Sequence, residues 1–440
     1  MTRRKALLLL LLTAGLSSGS RLSAQDTLRL SLADLYAMAD TASQAVRSAR
    51  AGHDAAREAV RAARTSRLPD VSVSLSASYI GDGWLSDRDY SSGRRIDMPH
   101  FGNNFAIEAS QVLYAGGAIT AGLRLAELGE QMAALDVASQ RQEVRFLLTG
   151  HYLDLCRLGN AVRVLDSNIA LVREVLRHVQ ARMEQGTVLP NDLTRYELEL
   201  QRLELQRLKL LDGVAILNGQ LATTLHLPEG VRIVPDSALF TAELRTLTSE
   251  GDWQAEATAH HTALRQAALA GDMAQQRIRL EQADRRPHVA LVAQDHLDGP
   301  ILIEVPTIDS NFNYWFVGLG VQYNLASLYK GNARVRQARR EAEAADARLA
   351  LAREQVHDGV QAAYVAFATA FTEVETQRKS VELATQNYTV TAHRYDNGLA
   401  LLTDMLDASS VKLAADLALV DARIGLIYQY YRLRYAAGKL

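Results

Sequence analysis

The helical segments of this chain occur twice, 212 residues apart. Tyr152, Arg182, Gly186, Leu189 and Asp192 recur as Tyr364, Arg394, Gly398, Leu401 and Asp404. The same register pairs Arg141 with Arg353, Val144 with Val356 and Leu221 with Leu433. An internal repeat constrains architecture before any single motif does. A period this long exceeds a solenoid unit, so it predicts two similar structural units that contribute equivalent parts to one assembly.

The prolines say what those units are made of. All eight lie at 69, 99, 190, 228, 235, 287, 300 and 306, which leaves 100–189 and 307–440 free of them. Proline breaks helix interiors, so these gaps permit very long helices, and Ala, Leu, Glu, Gln and Arg fill them. Val162, Leu165, Ile169, Val172, Leu176, Val179 and Met183 keep 3-4 spacing. After a break at Gly186–Pro190 a second series runs Leu193, Tyr196, Leu200, Leu203, Arg207, Leu210, Val214, Leu217 and Leu221. Such seams require partner helices packed knobs-into-holes. A helix from about Ala118 to Gln185 would be roughly 100 Å long, which predicts a coiled-coil hairpin rather than a globular core.

Strand signals occur in two places only. Val71, Val73, Leu75, Ala77 and Tyr79 alternate with serines, and Phe105, Ile107, Ala109, Gln111 and Leu113 form a partner strand. In the second half, Val289–Leu297 and Trp315–Leu325 repeat the arrangement, with Trp315, Val317, Leu319, Val321 and Tyr323 on one face. Strands near ten residues with one apolar face fit a tilted bilayer crossing. Four strands are too few for a closed membrane barrel, which needs about eight or more, and open edges in lipid leave backbone groups unsatisfied. Several chains must therefore share one barrel. Two would give eight strands and three would give twelve; the count alone does not choose.

The remaining composition narrows the class. Arg3, Arg4 and Lys5, the apolar run Leu7–Leu12 and the small-residue site Leu22-Ser23-Ala24 predict a secretory leader over 1–24, and with no Cys after the site no lipid anchor is expected. Removing the leader's four basic residues leaves 44 basic against 50 acidic, a net charge of −6, which argues against nucleic-acid binding. The single cysteine, Cys156, cannot form an intrachain disulfide and reads as a small core residue. No mature segment offers about 20 continuous apolar residues, so an exported chain of this kind is either soluble or a β-barrel. His260-His261 reads as solvated within a polar linker, with no third metal ligand at helical spacing. Gly318-x-Gly320 lies within a strand and lacks the remaining glycine of a dinucleotide loop. No catalytic constellation, cofactor or metal is expected.

With these residues in view, the chain resembles the TolC-like outer membrane efflux protein family over essentially all of its mature length. The resemblance rests on the leader and the duplicated strand-pair and helix layout. It also rests on the turns Leu113-Tyr114-Ala115-Gly116-Gly117 and Leu328-Tyr329-Lys330-Gly331-Asn332, and on the string Y-D-N-G-L-A-L-L-T-D-M-L-D from Tyr395 to Asp407. It implies an α+β membrane protein in which long antiparallel coiled-coil helices form an α-barrel. Four strands per chain would join a shared trimeric 12-stranded β-barrel, with an internal two-fold repeat. The first repeat would span 25–250, with strands near 70–80 and 104–114 and a helical hairpin to about 227. The second would span 251–440, with strands near 288–297 and 313–325 and a hairpin tip near 398. The implied setting is the outer membrane with the helical barrel in the periplasm. The implied partners are two further copies, outer-membrane lipid, a periplasmic adaptor (membrane fusion protein) and an inner-membrane pump of RND, ABC or MFS type.

The resemblance also assigns roles. Asp404 and Asp407, three apart on one helix face, match the family's aperture carboxylates; a threefold axis would gather six into a cation-favouring ring. Solvated acids favoured at a helix start are the plainer reading. Tyr395 and Asp192 match the latch that holds the aperture closed, although Tyr395 also continues the apolar seam. The family's basic latch residue is here Ala400, which shifts that duty to another cation such as Arg394 or Arg195. The hairpin tips Gly186, Thr187, Val188, Leu189 and Gly398, Leu399, Ala400, Leu401 would meet the adaptor. The resulting expectation is a passive exit duct for efflux or type I secretion. The rivals are a soluble periplasmic coiled-coil adaptor, which would carry one hairpin rather than two, and a periplasmic enzyme, for which the motifs are missing.

Overall fold

The structure is a computed structural model that describes residues 27–186, 188–228, 230–236, 249–304 and 307–440. The expected leader and Thr187 lie outside the described residues. The chain divides into two compact units, each built from separate stretches. A helical unit holds residues up to Ser48, Ser139–His261 and Val356–Leu440, and a sheet unit holds Ala49–Ala138 and Thr262–Gln355.

Three of the four long helices lie in the proline-free stretches, α3 (Ala118–Glu184), α7 (Ser327–Asp396) and α8 (Leu402–Ala436), and the fourth, α4 (Pro190–Leu225), begins on a proline. Shorter helices precede the strands: α1 (Leu32–Ala42), α2 (Gln44–Thr65), α5 (Glu250–His260) and α6 (Thr262–Ala283). α1 and α5 are both 11 residues long, and α2 and α6 are both 22. The starts of α1 and α5 use one device. Ser31 and Asp34, then Ser249 and Asp252, exchange side-chain and backbone hydrogen bonds at 3.0–3.2 Å as capping boxes.

Helix ends are equally explicit. At the end of α7 the Gly398 N–H donates to the Tyr395 carbonyl (3.0 Å) and the Leu399 N–H to the Arg394 carbonyl (2.7 Å). This is the paired closure that needs a left-handed residue, and Gly398 supplies it at φ 73°. Gly186, at φ 75°, stands just past the end of α3. Pro190 then opens α4, where a missing N–H costs nothing.

The helical unit is held by three apolar clusters. One packs Leu35, Leu148, Tyr152, Leu153, Cys156 and Leu221 around the start of the chain. A second follows the seam read from the sequence, with Leu165, Ile169, Val172, Val179, Tyr196 and Leu203 buried against Leu402 and Leu413 of α8. The third joins Ala257 to Val360, Phe367 and Leu433. Arg207, in the middle of the seam, is half-buried and pairs with Asp166 at 2.5 Å.

Strands appear where the alternation predicts them and also where it gave no sign. β2 (Asp70–Tyr79), β5 (Phe101–Ala115), β7 (His288–Gly299) and β8 (Phe312–Gln322) form one antiparallel sheet in the order β2-β5-β7-β8. β1 (Thr27–Leu30) pairs in parallel with β6 (Arg232–Pro235), and β3 (Gly83–Ser86) pairs with β4 (Gly93–Ile96). These four-residue pieces correct the expectation of two strand regions only. They are too short to show alternation, and β1 and β6 become strands only by meeting across a long stretch of sequence. The polar linker around His260-His261 is corrected too. His260 ends α5, and half-buried His261 is its cap, donating its N–H to the Ala257 carbonyl at 2.9 Å.

Candidate functional site

Two places in the fold are built for more than stability. The first is the sheet. Register places Val73, Ile107, Asp295 and Trp315 side by side, and likewise Val71, Ala109, Ala293 and Val317. One face of the sheet is therefore mainly apolar, and it is uncovered in a single chain: Leu75 is 77% exposed, Trp315 72% and Leu319 68%. The other face carries Ser72, Ser74, Ser76, Asn104, Glu108, Gln294, His296 and Asp298. Asn104 donates to Asp298, and the His296 ring stacks on Tyr314 at 5.1 Å between centroids. Leaving large apolar side chains in water forfeits about 1.5–3 kcal/mol each relative to burying them. A patch this size marks an interaction surface. β2 and β8 each have a neighbour on one side only, so both sheet edges expose unpaired backbone groups.

The second place is the hairpin tips in the helical unit. Leu189, Leu399 and Leu401 are exposed there. Asp404 and Asp407 lie on the first turns of α8, exposed and on one helix face. Asp404 also accepts the Leu401 N–H at 3.0 Å, so this carboxylate caps the helix that presents it. Asp192 sits in the first turn of α4. Tyr395 packs on the seam cluster beside it, and burial is the main cause holding its phenol above the ordinary value. Arg182 acts against that shift and Asp192 adds to it, so both charges are close to the ring.

The cation at Tyr395 is Arg182. Its guanidinium lies over the Tyr395 ring, 5.6 Å from the centroid. Arg394, one of the two candidates from the sequence, instead reaches the Leu399 carbonyl at 3.5 Å, and Arg195 is exposed. Tyr196 is the other residue the sequence undervalued. It is buried, its hydroxyl has no hydrogen-bond partner among the described residues, and burial chiefly raises its pKa, with Tyr395 and Tyr388 adding to the shift. Among the described residues no hydrogen bond or ion pair joins Asp404 or Asp407 to Asp192 or Tyr395, and no group of three His, Cys, Asp or Glu could hold a metal.

A model of the outer membrane efflux protein family matches residues 35–223 and again 253–439. The chain belongs to the outer membrane efflux protein family. Outer membrane efflux protein BepC of Brucella suis biovar 1 (strain 1330) is 21% identical, over 98% of this chain and 90% of that one. Among solved structures, VceC from Vibrio cholerae superposes with a TM-score of 0.76 at 18% identity, covering 92% of this chain and 96% of its own. The outer-membrane channel OprN gives 0.77 at 18% identity, with coverage of 93% and 90%. The open state of Neisseria gonorrhoeae MtrE gives 0.73 at 15%, with coverage of 92% and 88%. At these identities the structural likeness speaks for the fold, and family membership speaks for the role. This efflux protein is an outer-membrane channel component and not an enzyme, with its helical part in the periplasm. No helix among the described residues is long and apolar enough to cross a membrane.

Proposed function

We propose that this efflux protein is the exit duct of a tripartite efflux or type I secretion system, formed by three copies of the chain. The observation that carries the reading is the four-stranded sheet with an apolar face and two open edges. In lipid each unpaired backbone group costs several kcal/mol, so β8 of one copy pairs with β2 of the next until the barrel closes. Three copies supply twelve strands; that number follows the family resemblance, and the paired helix lengths and double family match support the two-fold repeat, 25–250 and 251–440, behind it.

In this reading the long helices form the periplasmic α-barrel. Asp404 and Asp407 line its aperture, and six carboxylates near a threefold axis favour cations. Tyr395 and Asp192 form the latch, with Arg182 rather than a residue at position 400 supplying its positive charge. The tips Gly186–Leu189, including Thr187, and Gly398–Leu401 meet a periplasmic adaptor, for which the exposed leucines are suitable anchors. An inner-membrane pump of RND, ABC or MFS type supplies the energy, and the duct itself is passive.

Purified protein in a planar bilayer tests both parts. Discrete conductance steps blocked by multivalent cations are expected, with block weakened about tenfold or more in Asp404→Ala/Asp407→Ala. Absence of conductance would sink the duct. Unchanged block in the variant would remove the carboxylates from the aperture.

A further inference from the structure

We propose that the helix-bearing end of the sheet carries a basic collar that binds anionic phospholipid headgroups and fixes the depth of the barrel in the bilayer. The inference rests on the channel reading above and adds a lipid partner to it. Strand register puts the start of β2, the end of β5, the start of β7 and the end of β8 at one end of the sheet. At that end the chain places Arg64, Arg67, Arg285, Arg286, Lys330 and Arg334, all exposed except half-buried Arg285.

Their positions are fixed from several sides. Gln111 of β5 donates its side-chain N–H to the Arg67 carbonyl at 3.1 Å. Arg286 donates to the Gly116 carbonyl at 2.9 Å, tying the turn after β5 to the turn before β7. The stem of Arg285 lies along Gly331, 3.2 Å from where a Cβ would stand, so a side chain there would displace it. Arg334 lies 3.3 Å from Asp284, and that pair counts for neither sign in the balance, so the excess charge rests on the other basic residues.

The opposite end has the reverse charge. Asp82, Asp87, Asp89, Asp97, Asp298 and Asp309 cluster around the far strand ends and loops, against Arg88, Arg94 and Arg95, and Arg95 is already held by Asp82. The sheet is thus apolar on one face, basic at one rim and acidic at the other. Tyr114, Tyr323 and Tyr329 are exposed at the basic rim, where amphipathic rings settle at headgroup level. Arginine suits this position because its fork of donors matches a phosphate in bidentate fashion, while its apolar stem lies along the hydrocarbon boundary. Basic residues clustered beside a membrane segment attract anionic lipid within a Debye length of the surface.

The test reconstitutes the full chain in vesicles of phosphatidylcholine mixed with phosphatidylglycerol, then counts retained lipids by native mass spectrometry. Phosphatidylglycerol is expected to be retained about threefold or more over phosphatidylcholine, falling to parity in Arg67→Gln/Arg285→Gln/Lys330→Gln/Arg334→Gln and in high salt. The charge-preserving Arg67→Lys/Arg285→Lys/Arg334→Lys variant should keep most of the preference, as should Arg88→Gln/Arg94→Gln at the opposite rim. Equal retention of the two lipids by the unaltered protein overturns the collar. So does a quadruple variant that keeps the preference, or one that alters only the ion selectivity of conductance, which would place these charges in the bore. Protein that inserts and conducts without lipid preference refutes the collar alone, whereas protein that never inserts refutes the channel reading and the collar with it.

Discussion

Tyr152 shows how one hydroxyl can join distant parts of the chain. Its O–H donates to the Leu30 carbonyl at 3.0 Å and accepts the Asp236 N–H at 2.9 Å, so it bridges β1 to the end of β6 from inside α3. Burial pushes its pKa up to about 12. Below pH 10 the phenol is protonated in both folded and unfolded chains, so its contribution is fully present. Between about pH 10 and 12 the unfolded chain ionises first, and stability falls across that window. Tyr152→Phe is expected to cost about 1–2 kcal/mol at pH 8, and its deficit against the unaltered protein should shrink at pH 11. Thermal melts at the two pH values check this, and an equal gap at both would contradict it. Tyr152 was visible in the sequence as half of a repeated pair with Tyr364, but its polar role was not, because Leu30 and Asp236 are far away in sequence. Arg182 was passed over for a similar reason: a cation over a ring leaves no periodic trace. On the proposed latch, its removal should loosen the closed mouth. A ring contact of about 0.5–1 kcal/mol corresponds to a two- to fivefold rise in open probability for each copy, so Arg182→Ala should raise single-channel leak without changing the conductance of the open state. An unaltered leak would detach Arg182 from the latch.

At the level of elements, the seams and tips were the most legible parts. Three-four spacing from Val162 to Leu221 located the buried stripe because a helix repeats every 3.6 residues, and Tyr196, Leu203 and Leu221 are buried in it. Gly186 and Gly398 marked the helix ends because a left-handed turn excludes most side chains. The short pairs β1-β6 and β3-β4 were not legible, since four residues offer too little alternation and their pairing is decided by distant contacts. Among the strands, the sheet edges carry the strongest consequence. Ser72 and Ser74 of β2 and Gly318 and Gly320 of β8 lie on the polar face of opposite edges. Cysteine pairs introduced at these positions, in a Cys156→Ser background, should form disulfides between copies in intact membranes. The scan is read on a non-reducing gel, where a ladder ending at three chains is expected, and exclusively intrachain products would mean that the edges do not meet across copies.

For the whole molecule, sequence order and spatial order differ. The two expected repeats divide the chain near residue 250, whereas each compact unit draws on both halves of the sequence. α3 and α7 explain this, because residues of each belong to both units. A repeat can be read from residue spacing, but the grouping of segments into compact units depends on contacts the linear sequence does not display. The proposal of several copies rests on strand number, because four strands cannot close a barrel; the proposed number of three rests on the family, because two or three chains satisfy the same backbone demand. Native mass spectrometry of the protein extracted by detergent from outer membranes decides the matter most directly. The account expects a complex of three identical chains that survives mild detergent and dissociates only on denaturation. A complex of two chains, or a monomer recovered without detergent from the periplasmic fraction, would contradict it.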